Sequence, residues 1–126
     1  MTEDQRKRFQ EGIALFNRGQ FFDCHEALEE VWLQSYGDRK KFLQGLIQVA
    51  VALHHLRNGN LAGAQRLLAA AVEKLSGPVP DSETIDVDAL LAVLAPLRKQ
   101  LSAGEMPGNW QAPQILWKAL PRASTE

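Results

Sequence analysis

The chain has 126 residues and a mass of 14.0 kDa, enough for one domain to bury a core without disulfide or metal staples. Fourteen Lys and Arg against fifteen Asp and Glu give a formal net charge of -1, which excludes a global field drawing the chain to nucleic acid or to an anionic membrane surface. Cys24 is the single cysteine, which excludes an intrachain disulfide and a multi-cysteine zinc site and fits a reducing compartment.

The amino-terminal "MTEDQRKRFQ" is charged and lacks the apolar centre of a signal peptide. No apolar run approaches the roughly 20 residues of a spanning helix, so the sequence reads as a soluble cytoplasmic protein. From Glu3 to Asn17 the apolar Phe9, Ile13 and Phe16 recur at helical spacing, predicting a helix with one buried stripe that Gly19 stops. A second helix carries "FFDCHEALEEVW" and ends near "SYGD", where Gly37 supplies a turn and Asp38 is the expected cap of the next helix. The third runs through "KKFLQGLIQVAVALHHLRN" to Gly59, nearly apolar in its middle, and is expected to be the most buried. A fourth, "LAGAQRLLAAAVEKL", stops at "SGPVP", whose glycine and prolines forbid continuation. "DVDALLAVLAPLRKQL" gives a fifth, kinked or restarted at Pro96. Nothing alternates with the period of two that strands require.

From Gly104 onward the chain holds Pro107, Trp110, Pro113, Ile115 and Trp117. It is too proline-rich for one long helix, yet apolar enough to lie across the bundle. The expected architecture is all-α: a compact bundle of about five helices built from two hairpins. Residues 1–103 form the domain and 104–126 a tail docked on it.

An internal echo supports the hairpins. "LFNRGQFFDCHEAL" and "HLRNGNLAGAQRLL" align at an offset of forty, with Phe16 over Leu56, Gly19 over Gly59, Phe21 over Leu61, Cys24 over Ala64 and Leu28 over Leu68. The pattern resembles the turn of a tetratricopeptide repeat, but two copies fall short of the roughly three units a stable array needs. The echo also makes Cys24 a small packing position.

The chemistry-bearing residues gather in the second helix. Residues four apart lie about 40° from one another around a helix axis, so His25 and Glu29 share a face with Trp32, while Glu26 lies over Glu30. HExxE is not the HExxH of zinc peptidases, so further ligands must come from elsewhere. A short turn at Gly37 makes helices two and three antiparallel neighbours. Counting from that turn places His25 beside Ala50 to His54, and Glu29 beside Gln48 with Gln44 one turn away. Of the adjacent histidines only one can point squarely at His25. His54 is favoured, because the small Ala50 on its stripe lets the helices approach.

Two readings follow. In the first, His25, Glu29 and His54 hold a divalent zinc, manganese or iron ion, Glu26 is the base, and Trp32, Gln44 and Gln48 line the pocket of a metal-dependent hydrolase. In the second, the same side chains form a structural hydrogen-bond network in a non-enzymatic interaction or scaffold protein. The partner is a small molecule or a protein, and self-association stays open.

The blocks "FNRGQFFDCHEALEEVW", "FLQGLIQVAVALHH" and "RNGNLAGAQRLL" closely resemble the domain of unknown function 309 family, small all-helical proteins of bacteria, archaea and plastids. The similarity runs from about Phe9 to Leu75. Its pattern maps onto Gly19, Phe21 or Phe22, His25, Glu26, Glu29, Trp32, Gln44, Gly45, His54, Gly59 and Asn60. The resemblance implies a compact helical bundle with a polar pocket and no established activity, and it too favours His54 over His55.

Overall fold

Thr2 starts the first helix. Its hydroxyl accepts the Gln5 N–H at 3.1 Å while the Gln5 side chain accepts the Thr2 N–H at 3.0 Å, a capping box that satisfies two orphan donors at once. In the computed structural model, which describes residues 1–80 and 85–118, this helix is α1, Glu3–Asn17. It is followed by α2 (Phe21–Leu33), α3 (Gly37–Arg57), α4 (Leu61–Leu75) and α5 (Val87–Ser102). Among the described residues there is no strand, and Ile85 and Trp117 form an isolated antiparallel bridge. No helix there is long and apolar enough to cross a membrane.

The echo at an offset of forty is a repeat of backbone geometry. Gly19 and Gly59 both sit at φ 77°, the left-handed conformation that closes a helix end and that glycine adopts without a Cβ penalty. After the first, Gly19 N–H bonds Phe16 O, Gln20 N–H bonds Leu15 O, and Cys24 N–H bonds Gln20 O. After the second, the equivalent bonds join Gly59 to Leu56, Asn60 to His55 and Ala64 to Asn60. The copies differ at the cap of the following helix. The Asn60 side chain accepts the Gly63 N–H at 3.0 Å, whereas Gln20 makes no side-chain cap.

The start of α3 departs from expectation. Its N-cap is Tyr36, in extended conformation without a side-chain bond, and Gly37 at φ 66° is the first helical residue. Asp38 is therefore not the cap. It lies inside the first turn, where its charge still favours the positive end of the helix dipole. Pro96 neither breaks nor restarts α5, which runs through it. Ala92, whose carbonyl loses its helical donor to the proline ring, is exposed, so water can serve that carbonyl.

Packing follows chain order, α1 on α2, α2 on α3, α3 on α4 and α4 on α5. The third helix contributes nine buried residues, from Phe42 to Leu56, and is the centre of the core. Close approach is set by glycines: a Cβ on Gly12 would fall 2.6 Å from Leu28 Cδ2, and one on Gly45 would fall 3.0 Å from Leu75 Cδ2. These contacts fix how α1 sits on α2 and α3 on α4, and so set the relative rotation of the faces carrying the polar residues.

Candidate functional site

The site begins with two adjacent phenylalanines that the helix turns to opposite fates. Phe21 is buried, meets Phe16 edge-on at 5.2 Å and carries the Arg57 guanidinium 4.6 Å above its ring. Arg57 is anchored there by donating to the Gly19 carbonyl at 2.6 Å. Phe22, about 100° further round the helix, is 53% exposed. Its ring lies 5.7 Å from that of His25 and 5.8 Å from that of His54.

Phe21, Phe22, His25, Val51, His54 and His55 wall a partly enclosed cavity of about 230 Å³ between the start of α2 and the end of α3. The structure thus brings His25 and His54 to one place, as the counting from Gly37 expected. His55 lines the cavity too. The rings of His54 and His55 are 6.2 Å apart, splayed across its wall.

Each imidazole is tied to its own segment. His25 Nε2 lies 3.7 Å from Glu29 Oε2, an ion pair only when the ring is protonated. His54 Nε2 meets Asn58 Nδ2 at 3.2 Å and His55 Nδ1 meets Asn60 Nδ2 at 3.3 Å. Asn60 Oδ1 is taken by the Gly63 N–H, so its amide NH₂, which only donates, faces His55 Nδ1. His25 Nδ1 is shielded from solvent without a hydrogen-bond partner among the described residues.

This donor set does not fit a metal centre. The phenyl ring of Phe22 stands beside both His25 and His54, and the His54 nitrogen that meets a partner is spent on Asn58. Among the described residues no three His, Cys, Asp or Glu side chains gather where they could hold an ion. Glu26 is not among the walls of the histidine cavity. It lines a groove between α1 and α2 with Arg8, Glu11, Arg18 and Asp23. Glu30 belongs to that side too, accepting from Arg8 Nη2 at 2.6 Å. This bond raises the Arg8 pKa above its ordinary value, but on an exposed pair it contributes only about 0–1 kcal/mol.

Trp32, Gln44 and Gln48 do not wall the cavity either. Trp32 packs partly buried on the core with the Lys40 ammonium 4.3 Å over its ring. Its Nε1 and the Oε1 of Gln48 are shielded without partners among the described residues. Sequence reasoning missed Val51 and His55 as walls and Phe22 as the ring beside both His25 and His54. The doublets "FF" and "HH" were the available signal, since each sets two rings about 100° apart at one level of its helix.

Cys24 is fully buried, and burial pushes its thiol up to about 12. Thiolate is the reactive form, so a disulfide-exchange reagent should leave the folded protein unlabelled at pH 8 and label one thiol in denaturant. The shift also carries a sign for stability. Its contribution is complete below the ordinary thiol value of 9.0 and is lost as pH rises toward about 12, because the unfolded thiol ionises first.

The model of the family described as a domain of unknown function (DUF309) matches residues 9–67, from Phe9 in α1 to Leu67 in α4. "Uncharacterized protein YpuF" of Bacillus subtilis (strain 168) is 42% identical over 69 residues, 54% of this chain and 40% of that protein. An "Uncharacterized protein" of Aquifex aeolicus (strain VF5) is 48% identical over 46 residues, 36% of this chain and 14% of that protein. The chain therefore spans less than half the length of either relative. The matched segment holds both hairpin turns and every wall of the histidine cavity, and over that segment the chain is similar to the domain of unknown function 309 family.

Proposed function

We propose that the chain is a helical interaction module that captures one apolar or aromatic anchor side chain of a partner protein in the cavity walled by Phe22, His25 and His54. The size and lining of the cavity carry this reading. A volume of about 230 Å³ falls below the roughly 300–1,000 Å³ of pockets that enclose drug-sized ligands or cofactors. It suits one side chain. Its walls are two phenyl rings, a valine and three imidazoles, and such aromatic surroundings are typical of the desolvated pockets that dominate protein–protein binding energy. Phe22 supplies an exposed aromatic face at the mouth.

The metal-dependent hydrolase reading needs His25, Glu29 and His54 to converge with Glu26 near them, and the geometry above does not favour it. Titrating indole and phenol into labelled protein, wild type beside Val51→Trp, tests the proposal by NMR. Shifts confined to Phe22, His25, His54 and His55 in the wild type, and absent when tryptophan fills the cavity, are expected. Shifts scattered over the surface, or none, would overturn the reading. Elemental analysis of the same samples separates the alternative: near-stoichiometric zinc, manganese or iron, lost in His25→Ala, would return the hydrolase.

A further inference from the structure

The second site lies on the amino-terminal hairpin, away from the histidines. Asn17, the last residue of α1, uses both ends of its side-chain amide on the backbone of one distant residue. Its Nδ2 donates to the Ile115 carbonyl at 2.9 Å and its Oδ1 accepts the Ile115 N–H at 2.7 Å. The Asn17 carbonyl in turn accepts from Gln114 Nε2 at 3.0 Å. A primary amide engaging N–H and C=O of one residue reproduces the pairing of a neighbouring strand. It recognises an extended backbone whatever the side chain.

The segment held there is extended. Pro113 and Ile115 are buried, while Gln114 and Leu116 are exposed, the period of two of a strand with one face on a core. Trp117 meets Phe9 edge-on at 6.2 Å and pairs with Ile85, and Asp86 N–H donates to the Leu116 carbonyl at 2.7 Å. Trp110 stacks on Phe21 at 6.5 Å. The helices therefore treat residues 110–117 as they would a bound peptide: one amide clamp, a strand-like edge and aromatic contacts at both ends. Residues 103–109 join this segment to α5 outside any helix, and Gly104 at φ 77° turns the chain there.

We propose that Asn17, with Phe9 and Ile85, is a docking site for an extended apolar-x-apolar-x-aromatic segment, and that in trans its occupant is residues 110–117 of a second copy of this chain. The argument rests on the contacts themselves. The complementarity is already realised with the chain's own segment, and the same bonds form whether that segment arrives in cis or in trans. Crossing over needs only a different path for the 103–109 connector. A short connector gives the cis segment an effective concentration in the mM range. Micromolar wild-type protein therefore closes on itself, and exchange needs a chain whose own closure is impaired. Phe21 touches both this segment, through Trp110, and the histidine cavity, but Asn17, Phe9 and Ile85 are not walls of that cavity, so variants at Asn17 and Ile115 test this site apart from the function proposed above.

Two complementary full-length variants test it. Asn17→Ala keeps the segment and loses the clamp. Ile115→Asp keeps the clamp and puts a charge at the segment's buried centre. Each alone should elute at the 14.0 kDa monomer mass, whereas an equimolar micromolar mixture should form a 1:1 assembly of twice that mass by light scattering. A fluorescent peptide of residues 108–118 should likewise bind Ile115→Asp at least tenfold more tightly than wild type, and the double variant no better than background. Should Ile115→Asp lose its helical circular dichroism, Trp117→Ala takes its place in both measurements. A mixture of folded variants that stays monomeric, or a peptide whose binding survives Asn17→Ala, would overturn the proposal.

Discussion

Phe21→Ala is expected to destabilise the fold by about 3–5 kcal/mol, the usual loss for a buried phenylalanine cut back to alanine. The position sits at the upper end of that range because its ring serves four structures at once. It is 1% exposed, packs edge-on against Phe16, stacks on Trp110, supports the Arg57 guanidinium and walls the histidine cavity. Removing it leaves Arg57 with its bond to the Gly19 carbonyl but without the ring beneath its guanidinium. Against a total stability of about 5–15 kcal/mol, the loss is a third or more of what holds the domain together. Urea denaturation checks this: the midpoint should fall with the slope unchanged. A loss below about 1 kcal/mol would mean that the contacts made by the ring are not fixed in solution. Phe21→Leu, which keeps most of the volume, should recover the larger part.

That one residue binds hairpin, cavity and C-terminal segment together shows what the sequence could and could not reveal. The helices were legible because each carries a strong period. Phe9, Ile13 and Phe16 mark the buried stripe of α1, and the apolar run from Phe42 to Leu56 marks α3 as the centre. The two hairpin turns were legible because only a glycine takes the left-handed conformation cheaply, and Gly19 and Gly59 recur with their surroundings. The turn into α3 was not. Asp38 is a good cap by residue type, yet Gly37 joins the helix and moves the boundary back to Tyr36.

The candidate site was half legible for a related reason. Spacing gives the angle of each side chain about its own helix, but not the rotation of one helix against another. Counting from Gly37 brought His25 to the level of His54, and the cavity does join them. What the count could not supply is a rotation that sets Phe22 beside both rings and turns Glu26 into the α1–α2 groove. Nor could it foresee that the histidines would be tied to Asn58 and Asn60 in the turn just beyond them. In the second hairpin the same turn that closes α3 also fixes two imidazoles, because Asn58 and Asn60 flank the left-handed Gly59. In the first hairpin the equivalent positions are Arg18 and Gln20, and the residue facing that turn is Arg57 from the other hairpin. The internal echo is therefore structural, while its departures from symmetry carry the polar contacts.

The rotation of α1 on α2 can be tested directly through Gly12 and Leu28. Leu28 is fully buried, and its replacement by alanine should destabilise by about 2–5 kcal/mol. Gly12→Ala alone sets two effects against each other. An alanine inside a helix gains about 1 kcal/mol over glycine, but its methyl would stand 2.6 Å from Leu28 Cδ2 and 2.9 Å from Leu28 Cγ, with Ala27 Cβ 3.6 Å away. A leucine with no exposed surface has little room to swing aside, so overpacking of about 1–3 kcal/mol should win and leave the variant less stable than wild type. In the Leu28→Ala background the obstruction is gone and the new methyl enters the space left behind. There Gly12→Ala should stabilise by about 1 kcal/mol. The expected signature is a change of sign between backgrounds, a coupling of about 2 kcal/mol within the range known for residues in contact. The same sign in both backgrounds would show that α1 does not meet α2 at this point. The rotation that sends Glu26 into the α1–α2 groove, away from the histidine cavity, would then lose its support.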